Sequence, residues 1–537
     1  MKGKARVKKT TLMVATVLIL SLPALAKPID QTLLVTTADG VLRGKGEGGS
    51  KAFLGIPYAA PPIGDFRWKA PQPAARWRGV REATHFAPNC YQAKPEPFGP
   101  FTQEFLIQPP SSEDCLYLNV WTPAKAPKAR MPVMLFIHGG GFSSGSGSVP
   151  IYNGANLASR GVVVVNLNYR VGVFGFLAHP QLTAESKLGT SGTYGIEDMI
   201  AALRWIRSNA AAFGGDPRNV TIVGQSAGAT GVNALMMSPA AKGLFQRAIT
   251  HSGSGLGRTW RTLEQSEKTG QAFLAASGAA DVAELRRMPS DQVWNVKAPA
   301  EGNLPAGAPA RGWFFSPPIG GEVWTAQSSD SSAPVANPVP LMSGFMADEL
   351  GSLDGRIVAS TPAEFEKLVR TRYSASADRL LALYPHATDA EVSVSTRQLL
   401  TDGAVASLVM WGAGRKQRGQ TVYPYTFNHP LPGPQSARYG AFHTADIPYL
   451  FGTFDLPNRT FTAADRVVSR TMQSYWINFM RSGNPNGPGL PRIDAVESAA
   501  SGVTAIGDGT GRIVRISTPE RAAAFRANFE AQGYKIP

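Results

Sequence analysis

The chain has 537 residues, with 53 Lys and Arg against 38 Asp and Glu, a formal charge of +15, and 43% apolar and 17% charged residues. That composition is globular and excludes disorder except at the ends, while a cationic excess without a dense Lys/Arg block or a nucleic-acid motif excludes a nucleic-acid partner. No segment reaches the ~18 consecutive apolar residues of a membrane span, and no repeat with a period of ~20–50 residues is present, which excludes membrane insertion, solenoids and propellers.

Taken in chain order, the first 26 residues stand apart. Lys2, Lys4, Arg6, Lys8 and Lys9 precede an apolar run over 12–22, and Ala24-Leu25-Ala26 closes it with small residues at the cleavage spacing. This predicts a secretory signal peptide and an exported chain, periplasmic or secreted, starting near Lys27. Removing it takes five positive charges and no acidic ones, so +15 becomes +10. The two cysteines, Cys90 and Cys115, are expected to pair in an oxidising compartment, closing a loop rich in Pro and Phe.

Residues 133–137 and 162–165 are short, continuous apolar runs, the mark of strands buried on both faces of a parallel sheet. A helix is expected over 196–212, a strand over 221–223 and a helix over 227–237. Strands are expected at 247–250, 340–345 and 422–427, and together these predict an α/β sheet covered by helices. The Pro/Gly/Ser/Ala-rich stretch 302–338 reads as surface loop. Short helices at 362–369, 377–383 and 390–399 read as an insertion capping the sheet. Thr462 and Asp465 form a capping box for a helix with Val468, Met472, Tyr475, Trp476, Phe479 and Met480 on one face, ended by Gly483. Nothing marks a second domain, so 27–537 is expected to be one.

Gly224-Gln225-Ser226-Ala227-Gly228 lies directly between an expected buried strand and an expected helix. A Gly-x-Ser-x-Gly in that place allows a tight turn that lifts the serine hydroxyl above the sheet edge, at a helix N-terminus that favours a developing oxyanion. His138-Gly139-Gly140-Gly141-Phe142 follows another strand, and its glycines let backbone amides approach a substrate. A nucleotide-binding loop is a poor fit, because no Gly-Lys-Ser/Thr ending and no Gly-x-Gly-x-x-Gly follows. With the chain order serine, acid, histidine, the candidate bases are His386, His429 and His443, and His443 sits in a Gly/Ala turn beyond the last strand, where that order needs it. Asp348 and Glu349 follow the strand at 340–345, and either is placed to orient an imidazole.

Ser112-Glu-Asp-Cys-Leu-Tyr-Leu-Asn-Val120 and Phe213-Gly-Gly-Asp-Pro217, running into Val220-Thr-Ile-Val-Gly-Gln-Ser-Ala-Gly228, resemble the signatures of the type B carboxylesterase and cholinesterase family. The likeness continues through Ile56-Pro57, Arg67, His251-Ser252-Gly253, Asp348-Glu349, His443 and Tyr475-Trp-Ile-Asn-Phe, so it covers nearly all of the expected mature chain. It implies an α/β-hydrolase fold, a large mostly parallel sheet with helical cap insertions, and a serine carboxylesterase that needs no cofactor and no metal and whose partner is a small-molecule ester. It further implies Ser226 as nucleophile, His443 as base, Glu349 as acid, the amides of Gly140, Gly141 and Ala227 as oxyanion hole, and Ser252 as a support near the acid. The family's Asp-Glu-Gly is here Asp348-Glu349-Leu350-Gly351, which keeps Asp348 and Asp354 in view as alternative acids. Asp446 reads as a residue behind the base. Cys90 with Cys115 matches the family's disulfide, and Arg67 with Glu113 its salt bridge. Relatives that lost the nucleophile became adhesion proteins, but all three triad positions are intact in this chain.

In this family the segments after Cys90, after Ser252 and over 302–338 supply the pocket. They carry Phe98, Phe101, Phe105, Trp260, Trp313 and Phe314 beside Arg258, Arg261 and Arg311. Trp260, Trp313, Arg258 and Arg261 are therefore expected to bind substrate, and the arginines suit an anionic polycarboxylate ester of the kind a fumonisin esterase takes.

Overall fold

The structure, a computed structural model, describes residues 1–4, 31–123, 130–298, 312–349 and 358–537. Most of the expected signal peptide, Arg311 and Asp354 lie outside the described residues. Among those described, no helix is long and apolar enough to cross a membrane.

One sheet of eleven strands organises the fold. In chain order they are β1 (Lys45–Glu47), β2 (Ser50–Pro57), β3 (Tyr117–Pro123), β4 (Met131–Ile137), β5 (Val163–Leu167), β6 (Gly215–Gln225), β7 (Arg247–His251), β8 (Leu341–Met346), β9 (Val422–Phe427), β10 (Val503–Ile506) and β11 (Ile513–Val514). Their spatial order is β11-β10-β9-β8-β7-β6-β4-β5-β3-β2-β1. The strands from β5 to β10 pair in parallel, and antiparallel strands close both edges. The apolar runs are continuous because both sheet faces are covered: along β4, Val133, Leu135 and Ile137 enter one hydrophobic cluster while Met134 and Phe136 enter the other. A period of two divides the strand between two cores, and neither face can be polar.

The helices that matter for the site are α1 (Tyr194–Asn209), α2 (Ala227–Met237), α3 (Asp389–Gln417) and α4 (Ala463–Ser482). In α4 the Thr462 side chain and Asp465 cap each other reciprocally, and Gly483 ends the helix in the left-handed region at φ 81°. Helix α1 stops earlier than expected, at Asn209, and residues Ala210–Phe213 tighten into a 3-10 turn. The larger correction is α3. Where a short helix over 390–399 was expected, it runs 29 residues, from the capping box of Thr388 and Glu391 through Gly403, Gly412 and Gly414.

Cys90 and Cys115 are joined in a disulfide. Beside it Arg67 grips Glu113 with two hydrogen bonds, Nε to Oε2 at 2.8 Å and Nη2 to Oε1 at 2.5 Å. Arg67 Nη1 also donates to the carbonyls of Arg286 (2.9 Å) and Met288 (2.7 Å). A guanidinium buried in that way satisfies its donors while tying the disulfide loop to a distant segment.

Candidate active site

Parallel pairing brings the carboxyl ends of four strands to one sheet edge. Register sets Ile137 beside Gly224, Gln225 beside His251 and His251 beside Gly344. The segments that leave β4, β6, β7 and β8 therefore emerge side by side, the usual place for a site in such sheets.

Between β6 and α2, Ser226 has φ 57° and ψ −121°. A non-glycine residue persists in so sparsely populated a conformation only where its surroundings hold it. Here Ser226 N–H donates to the His251 carbonyl at 2.9 Å, and the Ser226 carbonyl accepts the Thr230 N–H at 3.0 Å. The flanking glycines are dictated by close approach: a Cβ on Gly224 would stand 2.2 Å from the Gly228 oxygen, and one on Gly228 only 2.0 Å from the Ile137 oxygen. The glycine loop after β4 lies against this turn, since a Cβ on Gly139 would be 3.0 Å from that of Ser226. His138 anchors the loop. Its ring stacks on Tyr169 with centroids 4.2 Å apart, and the Tyr169 hydroxyl donates to the His138 carbonyl at 2.9 Å. Burial pushes the His138 imidazole down to about 4, partly opposed by its hydrogen bond to the Gly139 carbonyl.

From the end of β8 comes Glu349. Its Oε2 accepts the Met346 N–H at 2.7 Å and the Ser252 hydroxyl at 2.8 Å, and its Oε1 lies 2.5 Å from His443 Nδ1. Burial alone would raise this carboxyl, but the charge and hydrogen bond of His443, then the Met346 and Ser252 donors, outweigh it and hold it below the ordinary carboxylate range. Asp348 faces elsewhere: its Oδ2 accepts the Ala441 N–H at 2.9 Å and so shapes the turn that carries His443. Phe442, in the same turn, packs edge-on against Phe101 of the disulfide loop at 5.5 Å and near Phe105 at 5.9 Å.

One residue of the motif escaped the sequence reading. The Gln225 side-chain amide lies 3.1 Å from His443 Nε2 and donates to Thr444 Oγ1 at 2.8 Å. Among the described residues it is Gln225 that meets this nitrogen, and Ser226 Oγ makes no hydrogen bond to it. Gln225 occupies a variable position of Gly-x-Ser-x-Gly, so the pattern is silent about it, and only its length and polarity marked it.

The other expected site residues divide. Ser252 is at Glu349, as described. Trp260 rests near Phe142 of the glycine loop, with centroids 6.1 Å apart, and Arg258 lines a cavity bounded by Glu349. Arg261 is not brought to the site; it donates to Thr269 Oγ1 at 3.1 Å from an exposed position. Trp313 packs with Phe273 and Phe315 in an aromatic cluster against the helix Leu263–Ser277. The other candidate bases are elsewhere: His386 Nδ1 meets the Tyr384 carbonyl, and His429 bridges Asp508 and Asp465. Asp446 does lie behind the site, with Oδ2 2.5 Å from His251 Nδ1.

A strained serine between strand and helix, an adjoining glycine loop, and a carboxylate–imidazole pair at the same sheet edge define an α/β-hydrolase with the site of an ester hydrolase. The Carboxylesterase family model matches residues 31–525. A fumonisin B1 esterase from Sphingopyxis macrogoltabida is 35% identical over 480 residues, 87% of this chain and 85% of the relative. The para-nitrobenzyl esterase of Bacillus subtilis (strain 168) is 36% identical over 468 residues, 84% of this chain and 90% of that one. A solved thermophilic PNB esterase superposes with a TM-score of 0.75 at 31% identity, covering 92% of this chain and all of that one. The chain belongs to the carboxylesterase family, and it is a carboxylic ester hydrolase.

Proposed function

We propose that the protein hydrolyses carboxylic esters through Ser226, His443 and Glu349 by way of an acyl-enzyme. The observation that carries this is the Glu349–His443 pair, which directs the imidazole Nδ1–H to a carboxylate and leaves Nε2 as the proton acceptor beside the strained Ser226 turn. Ser226 Oγ attacks the ester carbonyl, His443 Nε2 takes its proton and then returns it to the leaving alcohol; water repeats the sequence on the acyl-enzyme. For this the Gln225 amide gives up Nε2 to the serine hydroxyl. The amides of Gly140, Gly141 and Ala227 receive the oxyanion, each such donor contributing about 3 kcal/mol to the transition state. Ser252 holds Glu349 in place through its hydrogen bond to Oε2. All of this chemistry is done by protein groups. A serine-directed organophosphate should label the chain once, at Ser226, with complete loss of hydrolysis of a short-chain chromogenic ester; labelling elsewhere with loss of activity would overturn the assignment.

The exported-enzyme reading travels with it: residues 1–26 as cleaved signal and 27–537 as a single catalytic domain. N-terminal sequencing of the exported protein tests this, with a start near Lys27 expected.

A finer reading is that the preferred esters bear free carboxylates. It is supported by Arg258 on a cavity bounded by Glu349 and by the likeness to a fumonisin B1 esterase. Matched esters with and without a terminal carboxylate, compared by kcat/KM, test it, and equal constants leave a general carboxylesterase.

A further inference from the structure

A cavity of about 640 Å³ adjoins Glu349 and Ser252 and is lined by neither Ser226 nor His443. Four arginines border it: Arg258 from the loop after β7, Arg372 at the end of the helix Pro362–Arg372, Arg397 on α3, and Arg438 in the helix Ser436–Tyr439. None of them is within ion-pairing distance of a carboxylate among the described residues. The carboxylates described on the wall are already engaged, Glu349 with His443 and Asp348 with the Ala441 N–H. All four arginines are solvent-exposed around the cavity.

Two buried polar side chains on the same wall have no partner. Asn528, 1% exposed, leaves both amide atoms unsatisfied, and Thr396, 3% exposed, leaves its hydroxyl unsatisfied. Buried polar groups without partners are uncommon and call for a ligand or water. Guanidiniums with no carboxylate partner among the described residues, set around the same space, select an anion rich in acceptor oxygens. Because the four cations come from four separate segments around one volume, they match charges spaced along a molecule better than one compact anion.

We propose that this cavity binds a small organic acid with two or more carboxylates, the arginines taking the carboxylates. The proposal deepens the anionic-ester reading by naming the groups that hold free carboxylates, and its test does not depend on turnover. Calorimetry on the Ser226→Ala full-length chain should show citrate binding, acetate at least tenfold weaker, and inorganic phosphate weaker than citrate. Arg397→Gln and Arg372→Gln should each weaken citrate by about tenfold or more, the worth of a charge-assisted contact. Arg218→Gln, a surface arginine outside the cavity, should leave it unchanged. The binding should largely persist at high salt, since contact pairs are screened less than long-range attraction. Citrate no tighter than acetate or phosphate, or equal citrate binding by both cavity variants and wild type, would overturn the proposal. Citrate binding together with equal kcat/KM for the matched esters would overturn the anionic-ester reading alone.

Discussion

Two buried histidine–carboxylate pairs lie close together in this molecule and are built alike, yet their chemistry differs. His443 Nδ1 faces Glu349 at 2.5 Å, and His251 Nδ1 faces Asp446 at 2.5 Å. The difference is at the second nitrogen. His251 Nε2 accepts the indole N–H of Trp476 at 3.1 Å, and the whole pair is sealed from solvent. Both of its nitrogens are committed, and its work is to join β7 to α4 and to the turn that follows His443. His443 Nε2 instead meets an amide that has a second acceptor in Thr444 and can be displaced. On the proposed reading, a carboxylate–imidazole pair serves as a base or a brace according to what its distal nitrogen meets.

The contrast can be broken from either side. Ser226→Ala should lower kcat by about 10⁴–10⁶-fold with the melting temperature nearly unchanged, because the side chain is small and half-buried and leaves no core cavity. Glu349→Gln should cost about 10⁴-fold by loss of the correct tautomer, whereas Asp348→Asn should be far milder in kcat, since that carboxylate serves a backbone amide. If Asp348→Asn proves the more damaging, the acid is misassigned. At the brace the expected readout is reversed. Asp446→Asn should destabilise the fold by about 1–3 kcal/mol in denaturant titration, as weakening a buried hydrogen bond to a charged acceptor does, and the surviving folded fraction should keep most of its specific activity.

A third buried imidazole sharpens the comparison, because among the described residues His138 has no carboxylate partner. Its pKa is lowered to about 4 by burial, so the unfolded chain binds the proton more readily. The stability it protects is complete above its unfolded value near 6.5 and falls as pH drops from there toward about 4, by roughly 3 kcal/mol in all. Urea titrations at pH 7.5 and 4.5 measure this, and His138→Gln should flatten the dependence over that window. The smallest expected effect is at Gln225. A carboxylate in its place would favour the protonated imidazole, so Gln225→Glu should move the acidic limb of the pH–rate profile upward by about one unit. An unmoved limb would mean that the amide does not contact the base in the working enzyme.

Local features were legible early because their causes are local. The serine turn follows from two glycines between a buried strand and a helix, and the α4 cap follows from Thr462 and Asp465. The continuous apolar runs announced strands covered on both sides. Helix α3 runs well past the expected 399, through glycines that do not stop it. In the fold they are points of close approach: a Cβ on Gly403 would stand 2.5 Å from the Tyr373 hydroxyl, and one on Gly414 2.1 Å from Ser331 Oγ. Packing against those neighbours outweighs the ~1 kcal/mol that a glycine costs a helix interior.

The sequence by itself determined the strand–turn–helix that bears Ser226, the glycine loop, the two cysteines available for pairing and, through resemblance, the family. Tertiary structure alone decided which carboxylate meets His443, that Gln225 stands at its distal nitrogen, and that arginines far apart in the chain share one cavity. The physical reason is one of range. Turn geometry and hydrophobic period are written within a few neighbouring residues, whereas a hydrogen bond between Glu349 and His443 depends on strand register and on how each connecting turn is held.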